Sequence, residues 1–291
     1  MTIQEILRCE PLFQNTEVKF SPVEGGLVNQ SYRITCANGD YYLRIYGAQA
    51  DYLGLDRTLE EQACRQAGRL GISPTVRKSA GTGYLITDFF PGRPFDGKAI
   101  HRPEILRQVI AMVKAIHTKM DLPRAFSAFD LIDRYVQQIR ERHVATPPGF
   151  GQILDQVDKI RFLRSADKEY SRVFCHNDVW INNLLYDGER LIIVDWELCG
   201  YGDAYFDLAR IAYLENTSVQ EEKRMLEQYF GFFEEEMLHT LQQMKYVGMV
   251  SEAVWALFHS SIQDDGHSQT YDYTAFAKEV IRILESGANH F

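Results

Sequence analysis

The sequence predicts an α+β fold in two lobes, a small antiparallel β lobe followed by a larger, mainly helical one. Three observations predict it. At 291 residues the chain is long enough for one large core or two smaller ones. It is 45% hydrophobic and 24% charged, which belongs to a folded globular chain. Its first third reads as strands around one helical interval, and the rest repeats at helical spacing except for one short strand cluster.

The elements follow in order. Residues 18–23, 31–36 and 41–45 are rich in β-branched and aromatic side chains, and Asn38-Gly39 makes a hairpin turn between the last two. From 56 to 71 the period changes: Leu59, Ala63, Ala67 and Leu70 recur as on a helix, and Gly71 stands where it stops. Residues 75–78 and 84–89 return to strand character. Five strands with one inserted helix make the first lobe, residues 1–90. Pro91-Gly92 and Pro94 mark a connection at about 88–97. The second lobe, 98–291, reads as helices over 103–119, 128–143, 153–164, 204–215, 219–233, 246–263 and 273–286. Short strands at 172–175, 184–186 and 191–195 interrupt them and are expected to face the lobe junction.

Composition narrows the function. Asp and Glu number 40 against 31 Lys and Arg, a formal charge of −9, so the basic stripe that a nucleic-acid binder needs is not expected. Five scattered cysteines without a C-x-x-C pair argue for a reducing compartment, not a disulfide framework. Glu5, Arg8 and Glu10 interrupt the first fourteen residues, so they do not read as a secretory segment. The longest aliphatic run, 191–194, is too short to span a bilayer. A cytoplasmic protein is the expectation.

The interrupting strands carry the chemistry. One ends in His176-Asn177-Asp178, with Asn183 five residues after Asp178; the next ends in Asp195-Trp196-Glu197. Phosphoryl transfer asks for a carboxylate beside the attacking hydroxyl and for metal ligands on the nucleotide phosphates. Asp178 suits the first task. The amide oxygen of Asn183 and the carboxylate of Asp195 suit Mg²⁺, a hard ion that takes oxygen ligands. His176 reads as a group that fixes this catalytic loop more than as an acid or base. An extended backbone would turn Asp195 and Glu197 to one side, bringing Glu197 near metal or acceptor. Asp203 reads as a helix N-cap, and Asp207 as a brace for the loop. In the first lobe, Gly25-Gly26 lets backbone N–H groups approach phosphates. Arg44 would meet phosphate, steadied by Glu60 or Glu61 on the following helix. The backbone from Asp88 to Phe90 is a hinge that would meet adenine. G-x-S-x-G, H-E-x-x-H and a full Walker A motif do not occur.

Gly25-Gly26-Leu27-Val28-Asn29, residues 42–47 around Arg44, His176-Asn177-Asp178 with Asn183, and Val194-Asp195-Trp196-Glu197 resemble the choline/ethanolamine kinase group. That group lies within the aminoglycoside-phosphotransferase-like superfamily, whose fold is protein-kinase-like. The resemblance runs from about residue 18 to 284. It implies ATP-dependent phosphorylation of a small alcohol, with Asp178 as base and Mg²⁺ on Asn183 and Asp195; Arg44 stands where most kinases use Lys. Trp255, Phe258, Tyr273 and Phe276 are similar to the aromatic region that closes around choline, and a cage of π faces suits a quaternary ammonium. The sequence departs from choline kinases in two places. Phe258 stands for a second Trp, and Ile181-Asn182 for Pro-Gly, which makes Asn182 a register rival to Asn183. The expected partner is a choline-like alcohol, choline or ethanolamine, ahead of thiamine and then an aminoglycoside; a catalytically silent binding module on the same fold is the different-class alternative.

Overall fold

In the computed structural model, residues 1–23, 29–47, 55–81, 83–95, 98–167, 169–262 and 272–286 are described. Contacts divide the chain into two compact units, Met1–Phe95 with Asn182–Leu198, and Asp96–Ile181 with Cys199–Phe291. The division expected from sequence, 1–90 and 98–291, follows the chain; the difference is that Asn182–Leu198 packs with the first unit.

In chain order the first unit opens with α1 (Ile3–Cys9), held by a capping box between Thr2 and Glu5. Seven residues with two buried side chains give too little periodicity to read in advance. Strands β1 (Val18–Pro22), β2 (Gln30–Cys36) and β3 (Gly39–Ile45) precede α2 (Arg57–Arg69), and β4 (Val76–Ser79), β5 (Tyr84–Asp88) and the short β6 (Arg93–Pro94) follow it. Strands β1 to β5 form one antiparallel sheet in the order β1-β2-β3-β5-β4. Gly39 takes φ +135° at the Asn38-Gly39 turn, a conformation that needs glycine. Alternation along β3 sends Tyr41, Leu43 and Ile45 into a core with Ile6, Phe13, Ile34 and Ile86, and leaves Tyr42 and Arg44 on the other face.

In the second unit α3 (Pro103–Lys119), α4 (Ala128–Glu141) and α5 (Phe150–Arg164) lead to β7 (Val173–Cys175). The hairpin β8 (Leu184–Tyr186) and β9 (Leu191–Ile193) belongs to the first unit, where it forms a three-stranded sheet in the order β6-β8-β9. Strand β10 (Gly200–Gly202) then pairs with β7, and α6 (Ala204–Leu214), α7 (Val219–Phe230), α8 (Glu235–Ser260) and α9 (Tyr273–Glu285) complete the second unit. Helix α8 packs against α4, α5, α6, α7 and α9, so it is the axis of that unit. It starts at Glu235, well before the expected 246. Its first turns carry Glu235, Glu236, His239, Gln242 and Lys245, which dilute the apolar period that Met237, Leu241 and Met244 do follow. Among the described residues no helix is long and apolar enough to cross a membrane.

Candidate active site

In the first unit Arg44 stands near the end of β3, on the face opposite the core. One of its amino groups, Nη1, lies 3.2 Å from Glu60 Oε1 and 2.8 Å from Asp195 Oδ1. Of the two candidate partners it is therefore Glu60 that meets Arg44; Glu61 pairs with Arg65 at 2.8 Å. Helix α2 brings Glu60 into place because Asp56 caps its first turn, accepting from the N–H groups of Thr58 and Leu59. The other Glu60 oxygen takes Arg57 Nη1 at 2.6 Å, and the same nitrogen reaches Glu197 Oε2 at 3.0 Å. Arg57 was not anticipated. The available signal was a basic residue in the first helical turn, where the helix dipole disfavours one.

Asp195 and Glu197 reach this cluster by a route other than the expected one. Strand β9 stops at Ile193, and Asp195 turns left-handed at φ +73°, so no extended run carries the two carboxylates. They are presented instead on either side of Trp196, which is 1% exposed and donates from Nε1 to Ser73 Oγ at 2.9 Å. Ser73 in turn donates to the Ile193 carbonyl. Val194 N–H donates to the Asn183 carbonyl at 2.9 Å, so Asn183 and Asp195 leave the same end of the β8–β9 hairpin. Two guanidiniums, Arg44 and Arg57, stand against three carboxylates, Glu60, Asp195 and Glu197. Burial pushes the Glu197 carboxyl up to about 7, helped by Asp195 and Glu60 and opposed by Arg44 and Arg57. An excess of carboxylate with an amide oxygen at the same hairpin end is a hard oxygen donor set of the kind Mg²⁺ takes.

The remaining residues expected to serve the nucleotide divide. Gly25 and Gly26 lie outside the described residues. Asn29 Oδ1 accepts from Gly47 N–H at 3.2 Å, tying the entry of β2 to the exit of β3. Asp88 binds Arg77 through both carboxylate oxygens, at 2.5 and 2.8 Å. Its N–H goes to the Thr75 carbonyl, and Phe89 N–H goes to Asp40, so these two amides are committed inside the sheet. Phe90 is half-buried, with Arg190 5.3 Å from its ring.

In the second unit β7 delivers His176-Asn177-Asp178. Asp207, fully buried on the first turns of α6, accepts from the His176 N–H at 2.9 Å and the Asn177 N–H at 2.8 Å. His117 Nε2 also lies 2.9 Å from it, and His117 Nδ1 lies 2.7 Å from the Tyr229 hydroxyl. Burial would raise the Asp207 carboxyl, but His117, His176 and these hydrogen bonds outweigh it and hold it below the ordinary range. Asp207 thus braces the loop. Asp203 caps α6, accepting from Tyr205 N–H at 2.9 Å, and pairs with Arg164. His176 is wholly buried, and its Nδ1 accepts from Asp178 N–H at 3.2 Å, so it shapes the turn that presents Asp178. The Asp178 carboxylate meets Arg210, a residue the sequence reading passed over, although Arg210 is the one basic residue of α6 and lies a turn beyond Asp207.

The four aromatics expected around the acceptor are only partly brought together. Trp255, half-buried, lies 5.3 Å from Tyr273, which is buried, and the His259 ring packs tilted against both, at 4.6 and 5.7 Å. Phe276 follows one turn along α9 and is half-buried. Phe258 is a correction: it is 1% exposed and packs 5.5 Å from the Tyr135 ring, so it offers no face to a ligand. Residues three apart do share a side of α8, but neighbouring helices cover that side too.

The phosphotransferase enzyme family matches residues 19–241. Probable choline kinase 2 of Arabidopsis thaliana is 22% identical over 93% of this chain and 85% of its own length. A choline/ethanolamine kinase family protein from Mesorhizobium loti superposes with a TM-score of 0.81 at 23% identity, covering 98% of this chain and 93% of that one. LicA in complex with AMP superposes at 0.76 with 19% identity, over 97% and 96% of the two chains. The structural likenesses show a shared fold, the protein-kinase-like one that the sequence predicts.

Proposed function

We propose, from the premise that the chain belongs to the phosphotransferase enzyme family and is a small-molecule kinase, that it moves the γ-phosphoryl group of ATP to the hydroxyl of a small cationic alcohol. The observation that carries this reading is the meeting of Arg44, Glu60 and Asp195. A guanidinium steadied by a helix carboxylate is a device for phosphate oxygens, and Arg is a planar fork that can bind two of them. Asn183 and Asp195 would hold Mg²⁺, which supplies charge neutralisation at the phosphates when bound. Asp178 would orient the acceptor hydroxyl and take its proton as that oxygen bonds to phosphorus and ADP departs. Braced by Asp207 and His176, it would need little reorganisation to do so. The nucleotide choice is supported by the relative solved with AMP.

Choline or ethanolamine is the acceptor this reading favours. The names of the relatives support it, as does Trp255, which is half-buried and whose π face suits an ammonium. The test is ATP turnover with Mg²⁺ against choline, ethanolamine, thiamine and kanamycin. Turnover with choline or ethanolamine at the highest kcat/KM is the expected result. Preference for thiamine or kanamycin would move the acceptor assignment, and no turnover with any alcohol would remove the kinase reading of this site.

A further inference from the structure

Helix α6 does more than brace the loop backbone. Arg210 lies one turn beyond Asp207, is 6% exposed, and spans two carboxylates on different elements. Nη2 donates to Asp178 Oδ1, and Nη1 donates to Glu252 Oε1 on α8. The Tyr213 hydroxyl closes the cluster, 2.9 Å from Nη1 and 3.3 Å from the same Glu252 oxygen. Burial works against the guanidinium charge, but Tyr213, Glu252 and Asp178 outweigh it, so Arg210 stays protonated.

Stability alone does not account for this arrangement. A buried ion triad seldom stabilises a fold more than apolar side chains of the same volume. Here Arg210 Nε is also buried without a partner among the described residues, which adds a desolvation cost with no return. What the triad does achieve is geometric. Asp207 fixes the main chain at His176 and Asn177, and Arg210 fixes the side chain that follows, so one helix controls both parts of the loop. A planar fork can bridge Asp178 and Glu252 in one orientation, which a point charge on a flexible stem cannot.

We infer that Arg210 is a positioning residue that holds the Asp178 carboxylate in its working orientation, and that Glu252 is the strut that holds Arg210. What Asp178 then does rests on the kinase reading; the clamp itself does not. The test uses Arg210→Met, Arg210→Lys, Glu252→Gln and the Met/Gln double variant of the full chain, with Mg²⁺, ATP and the best alcohol. Arg210→Met should lower kcat about 10- to 100-fold, as misplacing a reacting group does, with ATP KM within about twofold. Arg210→Lys should fall between it and wild type. Glu252→Gln should cost less, and the double variant no more than Arg210→Met, because both act through one contact. A structural role alone would lower the melting temperature, leave kcat of the folded enzyme unchanged, and give additive losses; that result overturns the inference.

A second measurement is independent of turnover. Urea midpoints of Arg210→Met, Asp178→Asn and their combination should be non-additive if the two side chains are coupled. Additive midpoints overturn the clamp whether or not the enzyme turns over. Non-additive midpoints with no alcohol phosphorylated would sustain the clamp and remove the kinase reading instead.

Discussion

Single residues were legible where the chemistry is written in short spacing. Asp178 and Asn183 are five apart and Asp195 follows the apolar run 191–194, so the pattern shows in the chain itself. Arg57 and Arg210 were not legible because their partners are remote: Glu197 lies 140 residues from Arg57, and Asp178 lies 32 from Arg210. Burial also hid the role of Phe258, since aromatics at helical spacing look alike in a core and in a cage. At this scale Asp195→Ala should weaken Mg²⁺-dependent nucleotide binding, and added Mg²⁺ should restore only part of the rate, because a ligand position is lost as well as a charge. An unchanged Mg²⁺ titration would show that Asp195 is not a metal ligand. His259 gives a pH prediction. Burial holds its pKa below the ordinary value of 6.5, partly offset by the hydrogen bond to the Trp255 carbonyl. The unfolded chain therefore takes up the proton first as pH falls. The stabilisation from neutral His259 is complete above about 6.5 and is lost progressively from there toward the folded value. Wild type should lose more melting temperature than His259→Phe between pH 7.5 and 5.5; equal losses would exclude His259 as the source.

Secondary elements were legible in proportion to their periodicity. Helix α3 matches its expected span because Ile105, Val109, Met112 and Ile116 mark one buried face without interruption. Strands β6 and β10, two and three residues long, carry no period and were missed. The end of β9 was misjudged because a left-handed residue after an apolar run leaves no mark unless it is glycine. That turn depends on Ser73, which joins the loop after α2 to Trp196 and Ile193. Ser73→Ala should remove the hydrogen bond from the buried Trp196 N–H and cost about 1–3 kcal/mol. The affinity for Mg²⁺·ATP should weaken along with the melting temperature, since Asp195 and Glu197 flank Trp196. Calorimetry and nucleotide titration on one preparation check this; a stability loss with unchanged nucleotide affinity would separate the Trp196 anchor from the carboxylates it carries.

For the whole chain, the order of elements was readable as a small antiparallel sheet with one inserted helix, followed by helices. The grouping of the β8–β9 hairpin with the first unit was not readable, because it depends on contacts such as Ile193 N–H to the Ile72 carbonyl at 2.8 Å. That hairpin follows Asp178 directly in the chain, so the candidate base and the candidate metal ligands fall on elements of different units. The proposed function makes Asp178 the base of the phosphoryl transfer. The most direct measurement is a single-turnover reaction of Mg²⁺·ATP with choline or ethanolamine, followed by ³¹P NMR, on wild type and on folded Asp178→Asn. The account predicts a phosphate monoester of the alcohol from wild type, a rate lower by ~10²–10⁴-fold in the variant, and nearly equal ATP binding in both. A variant that keeps more than about a tenth of the wild-type rate would contradict it.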